Sequence, residues 1–254
     1  MSAPLRWIDG ALVPDDTCDT EEAETLVADS WIVRDGRTLA IDLHRRRFLD
    51  GTPATERAEA ARVWDAVVAS VPERGDWFPR IEARRRRGTI GFAAWLRPAP
   101  ERSNSVVLAT HDGADPRRRP RVKGPDLAAL GRARAAVQAR GAGEAVLLSP
   151  ERFVVEGAYS SIVWWRGSAL CVVHAGLDRV DSVTERVLRT IATALRIEVR
   201  EELVTPDELD GLEVWALSAL HGARLATAWL DGPQLAAEPG RLNAWNARLE
   251  ALRK

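Results

Sequence analysis

Lysine is nearly missing from this chain of 254 residues. Of its 36 basic side chains only Lys123 and Lys254 are lysine, and the rest are arginine. Lys254 is the last residue, so Lys123 is the only internal lysine. A GC-rich genome replaces lysine by arginine wherever either cation serves, which explains the loss but not the one lysine kept. A primary amine can deprotonate and form an imine, and a guanidinium cannot. Cysteine is scarce as well. Cys18 and Cys171 lie far apart in sequence, which argues against a disulfide framework or a zinc site and fits a reducing cytoplasm. No apolar run reaches the roughly 20 residues needed to cross a bilayer. The opening MSAPLRWIDG has no apolar core of the kind a secretory signal needs. A cytoplasmic location without a membrane partner is therefore expected. The net charge of −1 exerts no pull toward nucleic acid. His44, His111, His174 and His221 have no metal-ligand spacing, so no metal is expected. The chain has no G-x-S-x-G elbow for serine hydrolysis and no Gly-rich strand-to-helix turn of a Rossmann fold.

What is present is a globular composition, 46% hydrophobic and 29% charged, long enough for one large domain or two modest ones. WIDG (7–10) and VRDG (33–36) carry the Asp-Gly hairpin signal. TLAIDL (38–43) reads as a strand, and Thr52 as the cap of a helix starting near Pro53. Ala60, Val63, Trp64, Val67 and Val68 mark a helical face, and further strands are expected around residues 77–110. The stretch HDGADPRRRPR (111–121) is polar and rich in Pro and Gly. It sets the expected division into a smaller domain 1–112, a linker 113–122 and a larger domain 123–254. Beyond it come a helix from about Asp126 to Arg140, the strands EAVLLS, VVEG, SIVWW and ALCVV, and a helix over residues 183–195. IEVREEL, EVWALSAL and ARLATAWL read as strands before a last helix with Leu242, Trp245 and Leu249 on one face. Many strands with interspersed helices and a central linker read as an α+β chain of two subdomains. The arginine runs at 45–47, 84–87 and 117–119 read as solvated faces. Grouped arginines also suit a small anion through forked hydrogen bonds.

Taken in order, RVKGPDLAAL (121–130), AVLLSPERFVVEGAYSSIVWWRGSALC (145–171), DSVTERVL (181–188) and EVWALSALHGARLATAWLDG (213–232) resemble the class IV aminotransferases, the fold-type IV pyridoxal-phosphate enzymes. With DLHRRRF (42–48) the resemblance spans about residues 30–232. It implies a D-amino acid aminotransferase-like fold. A smaller N-terminal α/β domain precedes a larger C-terminal domain of barrel-like β structure with helices, with pyridoxal 5'-phosphate between them in a homodimer. By the same resemblance Lys123 forms the Schiff base and moves the proton. Glu156 bonds the ring nitrogen, and Arg47 grips the cofactor phosphate with forked donors. The backbone at Val183 and Thr184 starts the phosphate-binding helix, and Ser218 and Ala219 complete the cofactor site.

Within that family SALHG (218–222) and KGPDLAAL look more like 4-amino-4-deoxychorismate lyase than like the transaminases. The transaminases usually carry a tyrosine five residues after the lysine, where this chain has Ala128. The resemblance implies a lyase that releases pyruvate and 4-aminobenzoate, the substrate being a small amino acid-like dicarboxylate. Arg224 and Arg121 are the expected contacts to its carboxylates. The alternatives are a branched-chain or D-amino acid transaminase, and a non-catalytic relative. The family's usual glycine and arginine at the phosphate helix are Ser182 and Glu185 here. An acid in the first turn would repel a phosphate unless something neutralises it.

Overall fold

The fold is described by a computed structural model covering residues 4–15 and 23–254. Cys18 lies outside the described residues. The chain forms two compact units: residues up to Glu101 with Val122–Pro125 and Leu252–Lys254, and residues Arg102–Arg121 with Asp126–Ala251.

In the first unit β1 (Leu5–Ile8) and β2 (Ala11–Pro14) form a hairpin. Its turn residues Asp9 and Gly10 both take positive φ, 47° and 84°, as the Asp-Gly signal requires. After β3 (Glu24–Ser30), a second Asp-Gly turn at Asp35 and Gly36 joins β4 (Val33–Arg34) to β5 (Arg37–Thr38).

The expected strand at 38–43 is instead the start of a helix, α1 (Ile41–Gly51). Ala40 takes φ 49° and turns the chain out of β5. Ile41, His44 and Phe48 then fall at helical spacing on one face. Phe48 stacks on Trp64 at 5.8 Å, and Trp64 on Trp31 at 4.4 Å. Burial of a side chain such as Phe48 contributes roughly 1.5–3 kcal/mol, and only the helix brings it onto Trp64. Thr52 closes α1 rather than opening the next helix: its hydroxyl donates to the Phe48 carbonyl at 2.9 Å. A short 3-10 turn at Ala54–Glu56 leads into α2 (Arg57–Ser70), whose Ala60, Val63, Trp64 and Val67 are buried as expected, whereas Val68, expected on the same face, is 38% exposed. β6 (Asp76–Trp77) pairs with β4. β7 (Arg80–Arg86) and β8 (Thr89–Trp95) complete an antiparallel sheet in the order β2-β1-β8-β7-β3. One apolar core joins the two helices to this sheet.

The second unit begins with β9 (Ser105–Thr110) and α3 (Leu127–Gln138). Four strands follow: β10 (Glu144–Leu148), β11 (Val154–Gly157), β12 (Ser161–Arg166) and β13 (Ala169–Val173). Then come α4 (Val183–Ala194), β14 (Val199–Glu202), β15 (Glu213–Ser218), β16 (Gly222–Leu230) and α5 (Arg241–Ala251). The sheet order is β11-β10-β9-β16-β15-β12-β13-β14. One face of seven of these strands contributes to a single core, from Val154 and Val146 through Leu108 and Ala216 to Ile162, Trp164 and Val173, so the sheet curls around it. On the other face α3 packs against Ala109, Ala145 and Leu147, and Trp245 of α5 against Trp165 and Trp215 at 5.2 and 6.2 Å. Burial on both faces explains why SIVWW is apolar without alternation.

The division differs from the expected one over residues 102–125 and at Leu252–Lys254. β9 and the arginine-rich stretch after it belong to the second unit, because β9 pairs with β10 and β16. The segment carrying Lys123 belongs to the first, where Val122 packs into the core and Ala28 N–H donates to the Lys123 carbonyl at 2.8 Å. Among the described residues no helix is long and apolar enough to cross a membrane.

Candidate active site

In the first unit Lys123 is held through its own backbone. Beside the Ala28–Lys123 hydrogen bond, Gly124 takes φ 128°, and a Cβ there would lie 2.4 Å from the Ala28 nitrogen. Glycine is what lets the lysine segment lie against β3. The next residue of β3, Asp29, is buried and accepts three bonds from α1. Arg47 donates through Nε to Oδ2 and through Nη2 to Oδ1, both at 2.8 Å, and His44 Nδ1 lies 2.8 Å from Oδ1. Burial alone would raise the Asp29 carboxyl. The charges of Arg47 and His44 and their hydrogen bonds outweigh it and hold the acid well below its ordinary range. Burial pulls His44 the other way, below its ordinary value, against Asp29 and with help from the Arg47 and Lys123 charges. Arg47, the expected phosphate ligand, is thus a largely buried guanidinium held in direct contact by an acid of β3.

In the second unit Glu156 lies on β11 and is 5% exposed. Its Oε1 accepts from Nη1 of Arg117, a residue of the stretch expected to be linker. Arg117 also binds Asp115 and the Asp178 carbonyl. Burial pulls the Arg117 guanidinium down, but the Asp115 hydrogen bonds and the Glu156 and Asp115 charges more than reverse this, so it stays cationic.

The start of α4 is capped by Ser182, whose Oγ accepts from Glu185 N–H at 3.3 Å. The first-turn N–H groups of Val183 and Thr184 have no intrahelical partner, and both residues are buried. The acid at 185 does not stand alone. Arg179 grips it through Nη1 at 2.6 Å and Nη2 at 2.8 Å, and Glu185 in turn keeps Arg179 charged against the opposing pull of burial. The negative charge at 185 is thus offset by an arginine six residues earlier.

Ser218 and Ala219 open the tight turn from β15 to β16, and Ser218 Oγ accepts from His221 N–H at 3.2 Å. Ser103 N–H donates to His221 Nδ1 at 3.1 Å. Burial, then the charges of Arg224, Arg102 and Arg134, push His221 down to about 4. The two arginines expected to meet substrate each lie against an acid of this chain. Arg224 is 5% exposed and its Nη2 donates to Glu144 Oε2 at 3.4 Å, inside a buried pair that Ser160 Oγ also joins at 2.9 Å. Arg121 is exposed and pairs with Asp178, Nε to Oδ1 at 2.7 Å, a surface pair worth little in itself. Sequence reasoning missed Asp29, His44, Arg117 and Arg179. The signal for His44 was the H-x-x-R spacing of residues 44–47, legible only once α1 is a helix; Asp29 had none.

The profile of the amino-transferase class IV family matches residues 26–229. A comparison with curated proteins finds no match. Among solved structures, the fold IV-transaminase of Curtobacterium pusillum is 18% identical, with a TM-score of 0.81 over 98% of this chain and 97% of that one. A hypothetical aminotransferase from Mycobacterium tuberculosis, in an alpha-ketoglutarate and PMP bound form, is 19% identical with a TM-score of 0.79 over 98% of each chain. The branched-chain aminotransferase of Thermoproteus uzoniensis, solved with norvaline, is 19% identical with a TM-score of 0.78 over 99% and 96%. At such identities the likeness carries the fold: the smaller N-terminal and larger C-terminal α+β architecture is the one these transaminases share.

Proposed function

Because the chain belongs to the class IV aminotransferase family, we propose that it is a pyridoxal-phosphate enzyme whose reaction is the lysis of 4-amino-4-deoxychorismate to 4-aminobenzoate and pyruvate. The observation that carries the cofactor is Lys123, the only internal lysine, on a segment pinned to β3 by the Ala28 hydrogen bond and by Gly124. The remaining donor set suits the group. Glu156 is a buried carboxylate for a ring nitrogen, and α4 offers two unpaired first-turn N–H groups to a phosphate, with the acid beside them neutralised by Arg179. Arg47 adds a guanidinium oriented by Asp29. When bound, pyridoxal phosphate supplies an aldehyde that joins primary amines and a ring that delocalises the electron pair left by a departing proton.

Lys123 would hold the cofactor through its amine, and its Nζ, when free, is the group placed to take the C4 proton. Glu156 keeps a proton at the ring nitrogen. Val183, Thr184 and Arg47 anchor the phosphate, and Ser218 and Ala219 contribute from the β15–β16 turn. Loss of the C4 proton and of the enolpyruvyl group as pyruvate leaves an aromatic ring, which drives the reaction. The lyase reading rests on SALHG and on Ala128, an exposed residue of α3 where the transaminases carry tyrosine. Amino acid transamination is the second reading, favoured by the norvaline and alpha-ketoglutarate complexes of the structures of like fold. A homodimer is proposed with either.

The test is pyruvate release from 4-amino-4-deoxychorismate by purified, cofactor-loaded protein without a keto acid. Turnover only with a keto-acid acceptor would select the transaminase. Protein with no yellow band, and nothing fixed to it by borohydride, would be a non-catalytic relative.

A further inference from the structure

His221, in the turn from β15 to β16, is held from two sides. Its Nδ1 accepts the Ser103 N–H at 3.1 Å, and its carbonyl accepts Arg102 Nη2 at 3.3 Å. Asn246 of α5 exchanges two hydrogen bonds with the Ala223 backbone, at 2.9 and 3.0 Å, and fixes the end of the same turn. A ring nitrogen that accepts a backbone N–H carries no proton, so the neutral imidazole holds its proton on Nε2 and is a donor there. Two further donors of this cluster lack acceptors: among the described residues, Nε of Arg102 and Nε of Arg224 are buried and make no hydrogen bond. Arg224 reaches Glu144 through a long bond, Nη2 to Oε2 at 3.4 Å, which does not restore what burial removes. Burial lowers Arg224 and raises Glu144, toward the uncharged form of each, against the pull of their opposite charges. Charge points the same way. After burial itself, the charges of Arg224, Arg102 and Arg134 are what push His221 down. The acids that face these arginines are Glu144 and Glu250, two against three, which leaves one positive charge.

We propose that Arg102, His221 and Arg224 form a carboxylate-binding site at the β15–β16 turn, which takes a monoanion through the two Nε–H groups and the His221 Nε2–H. A carboxylate brings about four acceptor sites and one negative charge, and a guanidinium offers donors alone. A water would accept from some of these donors and leave the surplus charge as it is. The side chain of Arg102 is 24% exposed and that of Arg224 is 6% exposed, so the cluster runs from the surface inward. The site uses residues of the second unit alone and does not depend on the cofactor reading. Its ligand is a carboxylate of the substrate or a free organic acid of the size of pyruvate.

The experiment reads His221 directly. Full-length protein with 15N-labelled histidine is titrated at pH 7 with sodium acetate, with sodium pyruvate and, at matched ionic strength, with sodium chloride. The His221 ring signal, assigned from its loss in His221→Asn, is followed by NMR. Acetate and pyruvate are expected to shift it saturably. Arg102→Met, and the double variant Arg224→Met/Glu144→Gln that strands no buried charge, should each raise the Kd roughly tenfold or more. No saturable shift in the wild type overturns the proposal even if every variant fails to fold. So does an equal response to chloride, and so does an unchanged Kd in the folded variants. Steady-state kinetics of cofactor-loaded protein separate the two sources. Competitive inhibition of 4-amino-4-deoxychorismate turnover by acetate, with KM rising in Arg102→Met by more than kcat falls, assigns the site to the substrate. Acetate binding that leaves turnover untouched assigns it to a free acid. Failure of the cofactor reading looks different: borohydride fixes nothing to Lys123 while the His221 signal still moves with acetate.

Discussion

Asp29 and Arg47 face each other as a two-pronged ion pair, Nε to Oδ2 and Nη2 to Oδ1 at 2.8 Å each, with the Asp29 side chain fully buried and that of Arg47 14% exposed. The same carboxylate takes His44 at 2.8 Å, so one acid on β3 organises two residues of α1. A buried pair of this kind stabilises little relative to a well-packed apolar one, but removing one partner is costly. Asp29→Asn keeps the shape and removes the charge. It is expected to lower the unfolding free energy by about 3 kcal/mol, read from urea denaturation at neutral pH. A loss below about 1 kcal/mol would mean that Arg47 swings into solvent and that the pair does not organise α1.

Lys123→Ala is expected to abolish the borohydride-fixable yellow band and to cut turnover by roughly a thousandfold or more. Lys123→Arg keeps the cation and should be equally inactive, because a guanidinium forms no imine. Absorbance and a pyruvate assay check both, and residual activity in the arginine variant would remove the amine from the mechanism.

Gly124→Ala places a Cβ 2.4 Å from the Ala28 nitrogen at a residue with φ 128°. The strain of such a backbone is about 1–3 kcal/mol, and the Ala28–Lys123 hydrogen bond must lengthen to relieve it. The thermal midpoint should fall and the affinity for cofactor weaken together. Gly91→Ala, with nothing within 4 Å of its added Cβ, is the control and should stay within about 0.5 kcal/mol of the parent.

His221 is pushed down to about 4 from an ordinary 6.5. A histidine whose folded value lies below its unfolded one binds fewer protons when folded. Its contribution is complete above about pH 6.5 and is lost as pH falls toward 4. Thermal melts between pH 4 and 7 should show that decline. His221→Asn, whose Oδ1 can take the Ser103 N–H, should flatten it, and an unchanged slope would assign the acid loss to other groups.

Much of the architecture was legible beforehand. The two Asp-Gly turns, the buried face of α2, the strands of the second unit and the period of α4 are short-range patterns, and each element formed where its pattern lies. The miss at residues 38–43 shows the limit. T-L-A-I-D-L alternates as a strand does, and the deciding partners of Phe48 are Trp31 and Trp64, which no local window contains.

Composition alone singled out Lys123, since a chemical property that arginine lacks marks a kept lysine without any coordinates. Motif order likewise placed a helix start at 183–184, where α4 begins. Pairing among 36 basic and 37 acidic residues was not readable in this way. Arg117 meets Glu156, Arg47 meets Asp29 and Arg224 meets Glu144 because sheet and helix packing bury those side chains in the same place, and charges withdrawn from water must find opposite charges there. Sequence spacing carries no record of which groups lose their water together; only the folded chain decides that.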